Sequence, residues 1–185
     1  MIDEQEPIKN IFSSVVNKPQ KVTDVYLFHP LTNALVDIPY VETLRATKPD
    51  DTVKIHFNSV ESTLDAFITF FNHLILTEGD TQAYIHRTAS YISLLALCCK
   101  EILVLPMASF TLSLPIKIGF GSTDKESSII EEAINIVCPR VLNNEEIKEL
   151  KEGKTFTFNA KELDARLEKY GNSKKHKKKT NVRRS

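Results

Sequence analysis

The chain has 185 residues, of which 42% are hydrophobic and 26% are charged, a composition that suits one globular domain and is short for two. Three cysteines, two of them adjacent, exclude a disulfide framework. No histidine or glycine spacing matches a metal or phosphate-binding motif, so we expect no cofactor and no metal. The acidic start at 1–6 excludes a secretory signal and the apolar runs are too short to cross a bilayer, so we expect a cytoplasmic protein without membrane contact.

The formal net charge of zero hides an uneven distribution. Residues 171–185 carry seven basic and no acidic side chains, which leaves seventeen basic against twenty-four acidic residues elsewhere, a balance of about −7. This tail has almost nothing apolar to bury, so we expect it to be disordered and able to contact nucleic acid or an acidic partner. Its basic residues are Lys174, Lys175, Lys177, Lys178, Lys179, Arg183 and Arg184.

Taken in chain order, the hydrophobic periodicity predicts an α/β layered domain with largely parallel strands at 21–170, after a loosely docked arm at 1–20. The predicted strands are 24–28, 53–57, 82–85, 102–105, 110–114 and 156–158, and the predicted helices are 39–47, 64–76, 89–99, 124–137, 144–151 and 160–170. Ser62 or Thr63 is the expected N-cap of the second helix, and Gly153 the expected end of the fifth. Pro106 and Met107 are expected to form a turn between two strands.

Ser90 is the candidate nucleophile. It follows Thr88-Ala89 at the point where a predicted strand leads into an almost wholly apolar helix, and a serine there can present its hydroxyl at the edge of a sheet. A serine is also common at a helix N-cap or first turn, which gives Ser90 an ordinary structural explanation. The sequence alone leaves both interpretations open.

Several segments together resemble the Clp protease proteolytic subunit family (ClpP-like), serine peptidases of the crotonase-like fold. Residues 25–28 look like its first strand, 55–59 like its I-x-x-N-S strand end, and 88–90 like its nucleophile motif. Residues 102–106 resemble the strand before the catalytic histidine, and 158–162 the F-x-x-A-x-E segment. The resemblance covers about residues 23–170. It implies a layered domain of repeated β-β-α units and subunits that stack into rings through roughly 116–137.

When the family's catalytic residues are carried over, most of them are missing. The nucleophile falls on Ser90, but the histidine position holds Ser113 and the aspartate position holds Thr155. A serine hydroxyl is a poor nucleophile at neutral pH unless a base accepts its proton, and neither a serine nor a threonine can act as that base. The resemblance therefore implies a peptidase scaffold without its proton-transfer groups.

The oxyanion region is altered as well. It falls on Glu61, Ser62 and Tyr91, where Glu61 and Ser62 replace the glycine pair of the family. Glycines let backbone N–H groups approach a developing anion, whereas Glu61 would place a carboxylate beside it.

We therefore predict a catalytically inactive Clp-peptidase-like subunit, a structural or regulatory ring-forming partner of identical or related Clp-type subunits, with an AAA+ unfoldase as a further partner. The small size, basic tail and altered site suit a phage or plastid accessory protein. One alternative is an active ATP-dependent serine endopeptidase in which His86 serves as an atypical base, oriented by Asp65 or Glu61. Another is an accessory protein that binds nucleic acid through the basic tail.

Overall fold

The computed structural model describes residues 20–31, 34–114 and 124–171. The strands are β1 Val22–Leu27, β2 Thr52–Ser59, β3 Asp80–Ala89, β4 Glu101–Leu112 and β5 Phe156–Asn159. The helices are α1 Ala34–Ala46, α2 Leu64–Leu76, α3 Ser90–Cys98, α4 Asp124–Val137, α5 Asn144–Lys151 and α6 Ala160–Arg166. A 3-10 turn, Cys138–Arg140, follows α4, and a π-helical turn, Leu167–Gly171, follows α6.

The strands form one sheet in the order β1-β2-β3-β4-β5. The first four are parallel, and β5 pairs antiparallel with β4. Because parallel crossovers are right-handed, this sequential order places α1, α2 and α3 on the same face of the sheet. Each of these helices contacts the next, and α3 contacts α4. The predicted α/β class with largely parallel pairing is therefore confirmed.

The predicted repetition of β-β-α units is not what the described elements show, because β1 to β4 alternate singly with α1 to α3. The two strands expected at 102–105 and 110–114 are also one strand, β4. Its pairing with β3 shifts between Ile85 and Arg87, which lie opposite Val104 and Ser109. The surplus residues of β4 form a bulge, and Pro106 lies in it, where its missing N–H costs no ladder hydrogen bond.

The first helix was also placed wrongly, because α1 begins at Ala34 and contains Pro39 instead of starting there. Proline removes one backbone hydrogen bond inside a helix, and tertiary packing outweighs that loss here, since Leu44 on the same helix is buried. The predicted helix at 124–137 is confirmed as α4, and the predicted cap of α2 is confirmed at Thr63, whose Oγ1 accepts the Ala66 N–H at 3.3 Å.

The core lies between the sheet and the helices. Alternate residues of the strands point into it, and α3 is buried almost all round, as its composition predicts. The largest fully buried side chains include Phe57, Phe67, Phe70, Phe110, Ile55, Ile85 and Ile92. Within the described parts of the chain, none of the helices combines the length and hydrophobicity that a membrane span needs.

The opposite side of the sheet is called the open face here. It is formed by the other alternate residues of β1 to β4, and one row crosses all four strands as Tyr26, His56, Tyr84 and Leu103. Tyr26 is 50% exposed and Leu103 is 39% exposed, and Phe28 just beyond β1 is 54% exposed. The sheet is thus packed with helices on one face and much more accessible on the other.

Candidate active-site edge

Ser90 occupies a strained backbone position. It is the first residue of α3, directly after β3, and its φ of 53° is the only positive value of a non-glycine residue among the described residues. An L-residue in this left-handed region costs roughly 1–2 kcal/mol. A serine held this way at a strand-to-helix turn is the arrangement by which nucleophile elbows expose a hydroxyl.

Of the two ordinary explanations of Ser90, the N-cap does not match this geometry, whereas the first-turn position does, because α3 begins at Ser90. The N-cap position of α3 is Ala89, and no side chain caps the helix there. The strain at Ser90 is therefore not offset by a capping hydrogen bond of its own hydroxyl.

The strand register gathers the three predicted triad positions at the carboxyl end of the sheet. In the parallel β3–β4 pair Ala89 lies opposite Thr111, so Ser90 is level with the last residue of β4, Leu112, and Ser113 follows it. In the antiparallel β4–β5 pair the outermost partners are Leu112 and Phe156, so Ser113 directly follows β4 and Thr155 directly precedes β5. The positions that would hold the histidine and the acid therefore lie just beyond the last β4–β5 pair, at the same end of the sheet as Ser90.

An imidazole does lie along this edge, but on a distant strand. His29 follows β1, which is two strands away from β3, or about 10 Å at the usual strand spacing. Its ring is engaged locally, with Nδ1 3.1 Å from the Pro30 carbonyl and Nε2 3.1 Å from Tyr40 Oη. His29 is thus held away from Ser90.

The loop at the predicted oxyanion region is fastened to the end of β1. The Leu31 N–H donates to the Glu61 carbonyl at 3.1 Å, and the Thr63 N–H donates to the Leu31 carbonyl at 2.8 Å. The Glu61 side chain is exposed, and Ser62 Oγ donates to the Thr63 carbonyl at 2.9 Å. This loop therefore carries the exposed carboxylate of Glu61, while its neighbouring polar groups bind within the loop.

Tyr91, the third predicted residue of that region, is a packing residue in this structure. It is 8% exposed and stacks on Phe67 of α2, with 4.9 Å between the ring centroids.

A buried polar cluster beneath α3 holds the Ser90 turn in place. Ser93 Oγ lies 2.7 Å from the Thr111 carbonyl, to which it donates, and 2.9 Å from Thr88 Oγ1. Ser93 and Thr88 are almost fully buried, so these bonds satisfy polar groups that have no access to water. We missed this cluster in the sequence, where two hydroxyl residues in an apolar stretch flanking Ser90 were the only signal.

His86, the predicted atypical base, belongs to the open face and not to the edge at Ser90. Its Nε2 lies 3.5 Å from His56 Nδ1, and its ring packs edge-on against Phe28 at 5.8 Å. Burial, and secondly the charge of His56, lower its pKa. Among the described residues His86 has no hydrogen bond to Ser90, and Asp65 and Glu61 have none to His86.

His56 in turn links this pair to a carboxylate, because its Nε2 lies 3.1 Å from Asp24 Oδ1. The titratable groups Asp24, His56 and His86 thus form a chain across three strands. They do not converge on a common point, and no group of three or more His, Cys, Asp or Glu within the described ranges could hold a metal ion.

The basic residues of the tail, Lys174 to Arg184, lie outside the described residues, as does the arm before Gln20. No protein-family model matches the chain, and a search of curated proteins found no match. The function is therefore inferred from the geometry of the edge and of the surfaces around it.

Proposed function

We propose that the chain is a catalytically inactive Clp-peptidase-like subunit that acts as a structural or regulatory partner in an oligomer of Clp-type subunits. The observation that carries the proposal is the pairing of a strained Ser90, at φ 53°, with two hydroxyl residues where a base and an acid would be required. Ser113 and Thr155 lie just beyond the outermost β4–β5 pair, Leu112 and Phe156, at the end of the sheet where Ser90 begins α3.

The edge around Ser90 lacks a group that could transfer a proton during amide cleavage. Cleavage of an amide needs a group that takes the Ser90 proton and returns it to the leaving amine, and a hydroxyl at position 113 does neither. Removal of a full serine-peptidase triad lowers kcat by about 10⁶. The exposed carboxylate of Glu61 adds an unfavourable charge close to where an oxyanion would form.

Association is supported by an apolar groove on the helical side of the molecule. The groove, of about 260 Å³, lies between α2 and α4. It is flanked by Ile75, Leu76, Ile129 and Ile136, which are 48%, 77%, 41% and 43% exposed. Exposed apolar side chains that form a contiguous patch mark interaction surfaces, whereas singly scattered ones are normal on a protein surface. The helix α4 also lies in the segment through which, by the resemblance, family rings would stack.

A fluorophosphonate probe tests the inactive site. The full chain should show no labelling of Ser90 above that of a Ser90→Ala variant, while an active serine hydrolase treated in parallel labels fully. Labelling of the wild type that disappears in Ser90→Ala would contradict the proposal.

Size-exclusion chromatography with light scattering tests the oligomer. We expect a mass of several subunits for the wild type, and a lower mass for Ile136→Asp because a charge in the groove opposes its burial. Ser128→Asp places the same side chain elsewhere on exposed α4 and should leave the mass unchanged. A wild-type monomer, alone and with Clp-type subunits added, would refute the scaffold role.

A further inference from the structure

The open face is unusual for a sheet of this type. Sheets built from parallel strands occur almost only with both faces covered. Here α1 to α4 cover one face of the sheet. On the open face, the side chains of Tyr26, Leu103 and the adjoining Phe28 are 39–54% exposed. Met107, in the bulge of β4, is 93% exposed. Apolar side chains gathered on such a face call for a cover, and the described residues do not supply it.

The side chains of this face are ordered among themselves. The Tyr26 and His56 rings stack at 4.5 Å and 15°, and the His56 and Tyr84 rings stack at 4.8 Å and 21°. Because the ring faces are engaged with one another, the row presents ring edges outward. A planar ligand would find few open ring faces to stack on, whereas an apolar helix could lie across the ring edges.

Residues 1–19, which lie outside the described residues, have the composition that such a cover requires. Their apolar residues Ile8, Ile11, Phe12, Val15 and Val16 recur at i, i+3, i+4, i+7 and i+8, the spacing of one face of a helix. The sequence predicts a loosely docked arm at 1–20, and this stripe gives that arm an apolar face with which to dock. It becomes informative because the chain continues from this segment directly into β1, a strand of the open face.

The segment also has a suitable reach. As a helix, residues 8–16 would be about 14 Å long. The distance from β1 to β4 across the sheet is also about 14 Å at the usual strand spacing. The connecting residues 17–21 span at most about 17 Å when extended, which is enough for the chain to turn back over β1.

We propose that residues 8–16 dock as an amphipathic helix on the open face of the same chain, with the apolar stripe Ile8, Ile11, Phe12, Val15 and Val16 covering the row from Tyr26 to Leu103. The basic tail is a poor competitor because it has almost no apolar residue. This inference goes beyond the proposed function and does not depend on it, since docking would take place in an active or an inactive subunit.

Maleimide labelling of a Leu103→Cys variant of the full chain tests the docking. Burial raises the pKa of the native thiols, to about 12 for Cys99 and for Cys138, so they should react slowly. We expect the thiol introduced at position 103 to react at least about tenfold more slowly than the thiol of a Lys148→Cys variant, where the native side chain is 79% exposed on α5, away from the groove between α2 and α4.

A matched pair of variants tests whether the apolar stripe of residues 8–16 is what protects position 103. Adding Phe12→Asp to Leu103→Cys should raise labelling at 103 by about tenfold, because a carboxylate cannot be buried against the row without a partner. Adding Ser13→Asp, the same new side chain one residue away and off the stripe, should leave labelling slow. Equal labelling with Phe12→Asp and Ser13→Asp would overturn the proposal, as would fast labelling of Leu103→Cys alone.

Two further measurements distinguish residues 8–16 from the basic tail and from a second copy of the chain as the cover of the open face. Deletion of 172–185 should leave position 103 protected, and a loss of protection would assign the cover to the tail. In a chain that carries both Phe12→Cys and Leu103→Cys, a short bismaleimide should join the two introduced thiols within one molecule. Products that link a tagged copy to an untagged copy would overturn docking within the chain in favour of a second copy.

Discussion

The edge around Ser90 has a candidate nucleophile without a base, whereas the open face around His56 has imidazoles without that nucleophile. The edge has the backbone geometry of a nucleophile site, with a strained serine at φ 53° and two strand ends beside it, but no base at positions 113 and 155. The open face has a carboxylate and two imidazoles in contact, at 3.1 Å and 3.5 Å, but Ser90, the candidate nucleophile, makes no hydrogen bond to them among the described residues. Chemistry requires both sets of features in one place, and the fold keeps them apart.

The largest effect is expected when the missing proton-transfer groups are introduced at the edge. A Ser113→His, Thr155→Asp variant should increase fluorophosphonate labelling of Ser90 by at least about a hundredfold, since a positioned general base contributes about 10² to 10⁴. Adding Ser90→Ala should abolish the gain. Adding His86→Gln should not affect it, and a loss of labelling in that variant would show that the two regions communicate.

The buried cluster under α3 predicts the next largest effect. Ser93→Ala removes the hydroxyl that satisfies the Thr111 carbonyl and Thr88 Oγ1 in the interior. The free energy of unfolding should fall by about 1–3 kcal/mol, as measured by urea denaturation. Ser128→Ala, at an exposed position of α4, is the control and should change it by less than about 0.5 kcal/mol. An unchanged stability in Ser93→Ala would mean that the turn at Ser90 is held by other contacts.

The strain at Ser90 predicts a smaller change of opposite sign. Ser90→Gly should raise the free energy of unfolding by up to about 1 kcal/mol, because glycine adopts a positive φ without a steric penalty. Ser128→Gly, inside α4 and exposed, should lower it by roughly 0.5–1 kcal/mol. Thermal or urea unfolding of the two variants distinguishes them, and a destabilised Ser90→Gly would show that the left-handed turn carries no strain.

The sequence predicted the layers of the fold better than it predicted the surfaces. The strand ends and the helix that follows Ser90 were visible in the periodicity because apolar residues alternate in β2 and β3 and fill α3. The continuity of β4 was not, since Pro106 is normally a strand breaker and only the pairing with β3 shows that it lies in a bulge.

The arrangement of the histidines was equally hidden. His56 and His86 are 30 residues apart in the chain, and they meet only because β2 and β3 are neighbours. His86 is only four residues before Ser90 in the sequence, but its side chain lies on the open face of the sheet, where it contacts His56. Sequence distance is a poor guide to side-chain direction wherever a strand has period two and is interrupted by a bulge.

The smallest expected effect is the pH dependence of the open face. Burial and the neighbouring His56 lower the pKa of His86 in the folded protein below its usual 6.5. The unfolded chain then binds more protons at mildly acidic pH, so the stability that neutral His86 provides is present above pH 6.5 and is lost as the pH falls below that value. Urea midpoints measured from about pH 8 to about pH 5 should therefore decline more for the wild type than for His86→Gln. Parallel declines in the two proteins would mean that His86 titrates as it does in the unfolded chain, and the histidine pair would then be a contact without electrostatic consequence.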